Sequence, residues 1–404
     1  MEKVINKSLP IWHLLLYFCL IGFTFINVPK LGTTYVLYAR LIQAVELIFF
    51  IVLLIQNFKR GIRLHGYTTL VNAWWLFYTI IAYYFALSTV GLTPFFNWMN
   101  IMIFLLLGNC YWKEYMIESS KYIAIVFSCL IYLNAVLLML YPEGLWIDEE
   151  WIGRGNPVRY LFGNYNMIGF VCLLGIIIHA LYTFATGKGR LNLLILILVS
   201  VASVVFVGSM TSTVSLGILS LCILLKNIIS KRIKVIIVVF TVLYILFFLF
   251  IIWYGSSIEE ISLATQFIEV TLSKDTTFSN RTELWANAVY KIKQNPWIGF
   301  GVQNVEWNDK YLGGSGPHNF WLMLLLQGGY LLCFSFIAIV FFAIKHALQT
   351  PNKTTVICIL GLLILFVMSL FEAYNIIQFF LLVQLVYYSQ FLNEKEESSL
   401  ELIS

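Results

Sequence analysis

Charged side chains are scarce in this sequence. Asp, Glu, Lys and Arg together make up 11% of the 404 residues, whereas hydrophobic residues make up 60% and the mean hydropathy is +0.87. A water-soluble fold of this composition would lack the polar residues needed to cover its surface. The composition therefore excludes an ordinary soluble enzyme and predicts that lipid surrounds most of the chain.

The sequence also contains few cysteines and only a small excess of positive charge. The seven cysteines all lie in apolar runs, and this argues against an extracellular disulfide framework or a clustered metal site. The net charge is only +5, and the basic residues are spread among short loops. Membrane orientation explains that distribution better than nucleic-acid binding does. No long internal repeat and no low-complexity tract is present.

Apolar stretches of roughly the ~20 residues that a helix needs to cross the hydrocarbon core recur along the whole chain. They predict an all-α, polytopic membrane helix bundle with about 12 transmembrane helices. The predicted spans are residues 11–28, 35–56, 67–88, 95–112, 122–141, 166–186, 191–208, 212–229, 235–253, 318–344, 354–371 and 375–392. The predicted regions are 1–253 with the first nine spans, a large loop at 254–317, 318–392 with the last three spans, and a tail at 393–404. The large loop is expected to contain short helices, one of them amphipathic over residues 256–277.

Lysine and arginine residues cluster in alternate connections between the predicted spans. Lys59 with Arg60 and Lys188 with Arg190 are two examples. Basic residues are retained on the cytoplasmic side of a membrane. Both termini are therefore predicted to be cytoplasmic, and the large loop is predicted to be extracytoplasmic.

A few basic residues fall outside this pattern. Arg154 and Arg159 lie in the outer loop of residues 142–165, and Arg281 lies in the large loop. Basic residues resist translocation, so they suggest binding of an anion, with ordinary loop charge balanced by nearby carboxylates as the alternative. Arg40 lies inside the second span, where an unpaired charge costs roughly 2.5–3.5 kcal/mol at the bilayer centre. Anion binding near the outer end and snorkelling both remain open for Arg40.

The second half of the large loop and the start of the tenth span contain a distinctive series of polar residues and glycines. In order, they are Asn280-Arg281-Thr282-Glu283-Leu284-Trp285, Asn295-Pro296-Trp297-Ile298-Gly299-Phe300-Gly301, Pro317-His318-Asn319 and Gln327-Gly328-Gly329. A short helix is predicted to begin near Arg281 and to end before Pro296. Gly299 and Gly301 then allow a tight bend. His318 is predicted at the outer mouth of the tenth span.

This series resembles the O-antigen ligase and polysaccharide polymerase family, the Wzy and WaaL proteins. The resemblance covers residues 280–329: an arginine followed by a tryptophan, an Asn-Pro-x-x-Gly-x-Gly bend, and a His-Asn start to a helix. Residues 159–169 resemble a second family signature, in which an Arg, a Gly and an Asn open a membrane helix. Residues 208–213 depart from the family, because many relatives have a Ser-Arg pair there. The hydroxyl groups of this stretch are open to ligand binding or to bonding their own backbone.

The resemblance implies transfer of a glycan from an undecaprenyl diphosphate carrier to an acceptor hydroxyl, at the outer face of the bacterial cytoplasmic membrane. His318 would be the general base or acceptor-orienting group, and Arg281 would stabilise the departing diphosphate. The substrate-binding residues would be Arg159, Arg154, Arg40, Asn319 and Trp285. No cofactor and no metal is expected, because the acidic run of residues 148–150 does not form a preset ion site.

The sequence leaves several functions open. The preferred one is a polymerase that joins repeat units into a capsular, exopolysaccharide or O-antigen chain, with a flippase and a chain-length regulator as expected partners and no nucleic acid. A ligase that moves a finished glycan would use the same donor and the same motifs. A flippase would instead predict related halves with broken helices near the middle of the bilayer. A non-enzymatic scaffold would need no particular His-Arg pair.

Overall fold

The computed structural model of the chain describes residues 12–27, 32–59, 61, 66–85, 93–152, 156–253, 281–314, 316–349, 351–374 and 376–392. Arg154, residues 256–277 and the tail at 393–404 lie outside these ranges, as do the predictions made for them. The described residues are mostly α-helical, which confirms the predicted all-α class. The α-helices are α1 (Trp12–Phe25), α2 (Gly32–Lys59), α3 (Gly66–Phe85), α4 (Thr93–Leu107), α5 (Lys113–Leu140), α6 (Tyr165–Thr186), α7 (Arg190–Phe206), α8 (Met210–Leu224), α9 (Lys226–Phe247), α10 (Arg281–Gln294), α11 (Val305–Leu312), α12 (Phe320–Ala347), α13 (Lys353–Ser369) and α14 (Ile376–Tyr388).

Some of these helices are long and apolar enough to cross a membrane. Within the described residues there are 5 such segments: Arg40–Lys59, Glu114–Leu140, Tyr165–Thr186, Lys226–Trp253 and Phe320–Ala347. A helix rises about 1.5 Å per residue, so segments of about 20 residues or more extend at least the ~30 Å of the hydrocarbon core. They coincide with the second, fifth, sixth, ninth and tenth predicted spans. Shorter apolar helices cover most of the other predicted spans, and the total of about twelve spans stays a prediction.

Asparagine side chains start several of the helices. Asn164, Asn304, Asn319 and Asn352 each have extended backbone angles, and each side-chain oxygen accepts a hydrogen bond from a backbone amide of the first turn. Such caps satisfy amide groups that have no partner within the helix. They fix where α6, α11, α12 and α13 begin.

The helix α6 is central to the bundle. It packs against α5, α7, α8 and α13, and its residues from Ile168 to Leu181 are buried. A β-carbon at Gly169 would lie 2.0 Å from Ser212 Oγ, so only glycine allows α8 to approach α6 so closely at this point. The helix α9, in contrast, packs mainly on α13 and buries Ile233 alone among its residues.

The helix α12 is interrupted at Gly329, whose φ of 62° and ψ of −161° are not helical. Such a break removes helical partners from backbone groups on both sides, and buried groups of this kind need other partners. The bend of residues 295–301 supplies them. Its hydrogen bonds are Phe300 N to Leu326 O at 2.7 Å, Gly301 N to Gln327 O at 3.0 Å and Tyr330 N to Pro296 O at 2.7 Å.

Two glycines allow the bend and the broken helix to meet. A β-carbon at Gly329 would lie 2.3 Å from the carbonyl carbon of Trp297, and one at Gly299 would lie 2.5 Å from Leu326 O. Both glycines also have positive φ, at 62° and 65°. The glycines that carry the resemblance therefore form one backbone contact. It fixes the large loop against the helix that begins beside His318.

Two short strands precede α6. The strand β1 (Trp146–Ile147) pairs antiparallel with β2 (Val158–Arg159), with Trp146 opposite Arg159. Asn27 N donates to Leu161 O at 2.8 Å, so the segment that follows β2 is attached to the end of α1. This small hairpin holds the predicted second signature in place.

Candidate active site

His318 lies immediately before the asparagine cap of α12. Among the described residues other than glycine, it is the only one with a φ in the left-handed region, at 44°. Its Nδ1 atom lies 3.3 Å from Glu372 Oε1, and its side chain is 28% exposed. The local turn therefore directs one imidazole nitrogen at a carboxylate while part of the ring stays accessible.

Arg281 is the first residue of α10. Its Nη2 atom lies 3.8 Å from Glu372 Oε2, and its Nη1 donates to the carbonyl oxygen of Phe371. The two residues predicted to be catalytic, His318 and Arg281, thus contact opposite oxygens of one carboxylate. The structure brings them together, although they are 37 positions apart in the sequence.

Glu372 joins these side chains, and the sequence did not indicate this role. It lies in the turn between α13 and α14, and its side chain is 12% exposed. Burial alone would raise the pKa of this carboxyl, but the hydrogen bond with His318, the charge of Arg281 and the hydrogen bond from the amide of Asn166 together hold the pKa below its usual value. The carboxylate is therefore charged at neutral pH and accepts hydrogen bonds from several sides.

The second signature supplies a further contact to Glu372. Asn166, in the first turn of α6, donates from Nδ2 to Glu372 Oε2 at 2.6 Å. Its Oδ1 accepts from Ser209 Oγ at 3.0 Å, and Ser209 Oγ lies 2.7 Å from Ser212 Oγ. A polar chain thus runs from the serine stretch before α8 to the carboxylate.

Two hydroxyl groups of residues 209–213 have different partners, and ligand binding by this stretch stays a prediction. Ser209 bonds to Asn166, which belongs to the site, whereas Thr213 Oγ1 donates to Ser209 O of its own helix at 2.9 Å. The stretch that lacks the family arginine therefore contributes a hydroxyl group to the hydrogen-bond chain of the site.

Asn319 and Trp285 are both fully buried and bond to backbone atoms of this chain. Asn319 caps α12 and donates from Nδ2 to Leu370 O at 2.8 Å. Trp285 donates from Nε1 to Pro317 O at 2.9 Å. Each side chain holds the backbone next to a site residue: Leu370 is close to Glu372, and Pro317 precedes His318. A buried indole with 0% exposure presents no face on which a sugar could stack.

Arg159 is held within its own hairpin. Its Nε donates to Asp148 Oδ2 at 3.2 Å, its Nη1 donates to Asn156 O at 2.8 Å, and its guanidinium lies 5.0 Å from the centre of the Trp151 ring. The side chain is 7% exposed. None of its contacts with described residues involves His318, Arg281 or Glu372.

Arg40 is another predicted substrate-binding residue that has no described contact with this cluster. Arg40 is exposed and donates to Gln43 Oε1 at 3.3 Å. Arg154 lies outside the described residues. Over the described ranges, no group of three or more His, Cys, Asp or Glu side chains is placed to hold a metal ion.

Comparison with known proteins identifies a family domain in this chain. The family model described as O-antigen ligase matches residues 194–337. The match includes Ser209, α10, the bend that contacts α12, and His318. No curated protein matched the chain.

Proposed function

We propose that this chain is a polysaccharide polymerase, because the family model described as O-antigen ligase matches residues 194–337, which include His318 and Arg281. It would transfer oligosaccharide repeat units from an undecaprenyl diphosphate carrier at the outer face of the bacterial cytoplasmic membrane. The observation that carries this proposal is the convergence of His318 and Arg281 on Glu372. A scaffold would have no need for a partly exposed histidine oriented by a buried carboxylate.

His318 is the general base in this proposal. When Nδ1 carries the ring proton and donates it to Glu372, the basic lone pair is on Nε2. Nε2 takes the proton of the acceptor hydroxyl as its oxygen attacks the anomeric carbon of the donor sugar. The bond from that carbon to the carrier diphosphate breaks, and its electron pair leaves with the diphosphate.

Arg281 stabilises the negative charge that develops on the leaving diphosphate. A guanidinium has five N–H donors, and the contacts with Glu372 and Phe371 fix its position. The remaining donors can hold phosphate oxygens in a bidentate manner. We propose that this cation takes the role that a divalent metal has in other transferases, and that the enzyme needs no metal.

The other predicted residues have supporting roles. Asn319 and Trp285 position the backbone on either side of the site through their buried hydrogen bonds. Arg40, Arg154 and Arg159 are proposed to add positive charge for the carrier diphosphate. For Arg159, the contact with Asp148 would have to open or to be shared with the phosphate.

A ligase is the second candidate, because the matched family model is described as an O-antigen ligase. It would transfer a finished glycan from the same carrier to a different acceptor. A strain from which the gene has been deleted separates the two functions. Single repeat units on the cell surface would indicate a missing polymerase, and long carrier-linked chains would indicate a missing ligase.

The site assignment is tested in that strain with His318→Ala and Arg281→Ala. Both variants should abolish glycan extension while carrier-linked units still reach the outer leaflet. His346→Ala, near the end of α12, and Arg190→Ala, at the start of α7, are the matched controls. If glycan extension persisted in both His318→Ala and Arg281→Ala, the site assignment would be refuted. If carrier-linked units failed to reach the outer leaflet in these variants, the result would point to a flippase.

A further inference from the structure

An open groove of about 630 Å³ lies between α9, α12 and α13. Its walls are almost wholly apolar and include Ile237, Phe341 and Leu363. It exists because α9 packs on α13 and not closely on α12. The groove needs an apolar occupant, because water would gain few hydrogen bonds from these walls.

Two lysines give one end of the groove a positive charge. Lys234 of α9 and Lys345 in the last turn of α12 both line it. Both side chains are exposed, and neither forms an ion pair with a residue that the structure describes. Basic pockets between membrane helices on the cytoplasmic side bind anionic lipid headgroups. The positive-inside pattern predicts that both lysines lie on that side.

The aromatic residues further along the groove offer no charged group comparable to the two lysines. Trp321 Nε1 donates to Tyr244 Oη at 2.5 Å, and Tyr244 Oη donates to Phe366 O at 2.9 Å. These polar atoms therefore satisfy one another. Tyr244 follows Lys234 by ten residues on one helix, which is a rise of about 15 Å. That distance is about half of the ~30 Å hydrocarbon core, and hence the depth of one leaflet.

We propose that this groove binds an anionic phospholipid from the leaflet on the lysine side. The phosphate lies between Lys234 and Lys345, and an acyl chain follows the apolar walls of α9 and α12 towards Tyr244. The charge at one end and the depth of the apolar part favour this occupant over the carrier lipid. In the proposed function the carrier has its diphosphate at the opposite end of α12, and the choice of a phospholipid over the carrier rests on that function.

The test uses the purified full-length chain in detergent, mixed with equal amounts of dioleoyl phosphatidylglycerol and dioleoyl phosphatidylcholine. Native mass spectrometry measures which lipid stays bound. The wild type should retain phosphatidylglycerol in preference. The double variant Lys234→Gln/Lys345→Gln should retain roughly 30-fold less phosphatidylglycerol, because each basic residue contributes about 1 kcal/mol and about 1.4 kcal/mol corresponds to a tenfold change. The control Lys188→Gln/Arg190→Gln removes the same charge from another connection and should behave as wild type.

A second variant keeps the test valid if the lysine variant is unstable. Ile337→Trp fills the apolar part of the groove and should reduce retention of both lipids. Equal retention of phosphatidylglycerol by the wild type and both groove variants would overturn the proposal. Equal binding of the two lipids to the wild type would also overturn it. The same holds if Ile337→Trp displaces a co-purified polyprenyl lipid, or if this variant dissociates a dimer.

Discussion

Asn166 donates a 2.6 Å hydrogen bond to Glu372, although 206 positions separate the two residues in the chain. This contact links the first turn of α6 to the turn after α13, and through Glu372 to His318 and Arg281. Each segment that resembles the family therefore contributes to one cluster.

Replacing Glu372 with glutamine should reduce glycan transfer by roughly 10²-fold or more, the lower end of what a general base contributes. Glutamine keeps the volume of the side chain but removes the charge that orients His318. The rate is measured in membrane vesicles with a carrier-linked donor. Glu283→Gln, on the exposed side of α10, is the control and should keep the wild-type rate. An unchanged rate for Glu372→Gln would exclude an orienting role for the carboxylate.

The same carboxylate should make stability depend on pH. Its pKa in the folded protein is below its usual value. Stability from such a group is fully present above the unfolded-state pKa and is lost as pH falls through the folded-state pKa. In detergent, the Tm of Glu372→Gln should lie below that of the wild type near neutral pH, and the gap should narrow below about pH 4. A gap that widened at acidic pH would contradict the direction of this pKa shift.

Asn166→Ala should destabilise the protein by roughly 1.5–3 kcal/mol, the typical value for a hydrogen bond to a charged group. It would also leave Ser209 without its acceptor on α6. Thermal unfolding in detergent measures the effect. Asn192→Ala, at an exposed position of α7, should change the Tm little. If both variants unfolded at the same temperature, the contact between Asn166 and Glu372 would not contribute to stability.

Gly329→Ala should be severely destabilising. The added β-carbon would lie 2.3 Å from the carbonyl carbon of Trp297, and the positive φ of 62° adds a further penalty of roughly 1–2 kcal/mol for any L-residue with a side chain. The yield of folded protein and its Tm should both fall. Gly217→Ala is a matched control within α8, because nothing lies within 4 Å of its added β-carbon. The control should be neutral or slightly stabilising.

Glycan transfer should not require a divalent metal, because in the proposed mechanism Arg281 supplies the charge that stabilises the diphosphate. Treating membrane vesicles with excess EDTA should leave the rate within about twofold of the untreated value, a change of less than 1 kcal/mol in the barrier. Loss of activity that added Mg²⁺ restores would refute this part of the mechanism.

The sequence predicted the helical class and several boundaries well. The tenth span was expected at 318–344 and α12 is Phe320–Ala347; the seventh was expected at 191–208 and α7 is Arg190–Phe206. Hydrophobic length and caps decide such boundaries, and both are local properties. The meeting of His318 with Arg281 followed from the resemblance and not from any local rule.

Glu372 could not be found in this way. A single carboxylate in a short turn has no motif around it. Its partner His318 lies 54 positions away, and Arg281 and Asn166 lie more than 90 positions away. Its one signal was a charge within an otherwise apolar stretch of sequence. The break in α12 was equally hidden, because a glycine pair in a membrane helix more often serves helix packing. Only the bend at 295–301 explains why the helix is interrupted there.

The hydrogen bonds between that bend and the broken helix also constrain how the protein assembles. The bend precedes α12 in the chain, and it must lie beside the break in α12 before the backbone groups there find their hydrogen-bond partners. The final conformation of the tenth span therefore depends on the folded loop, and that of the loop depends on the span.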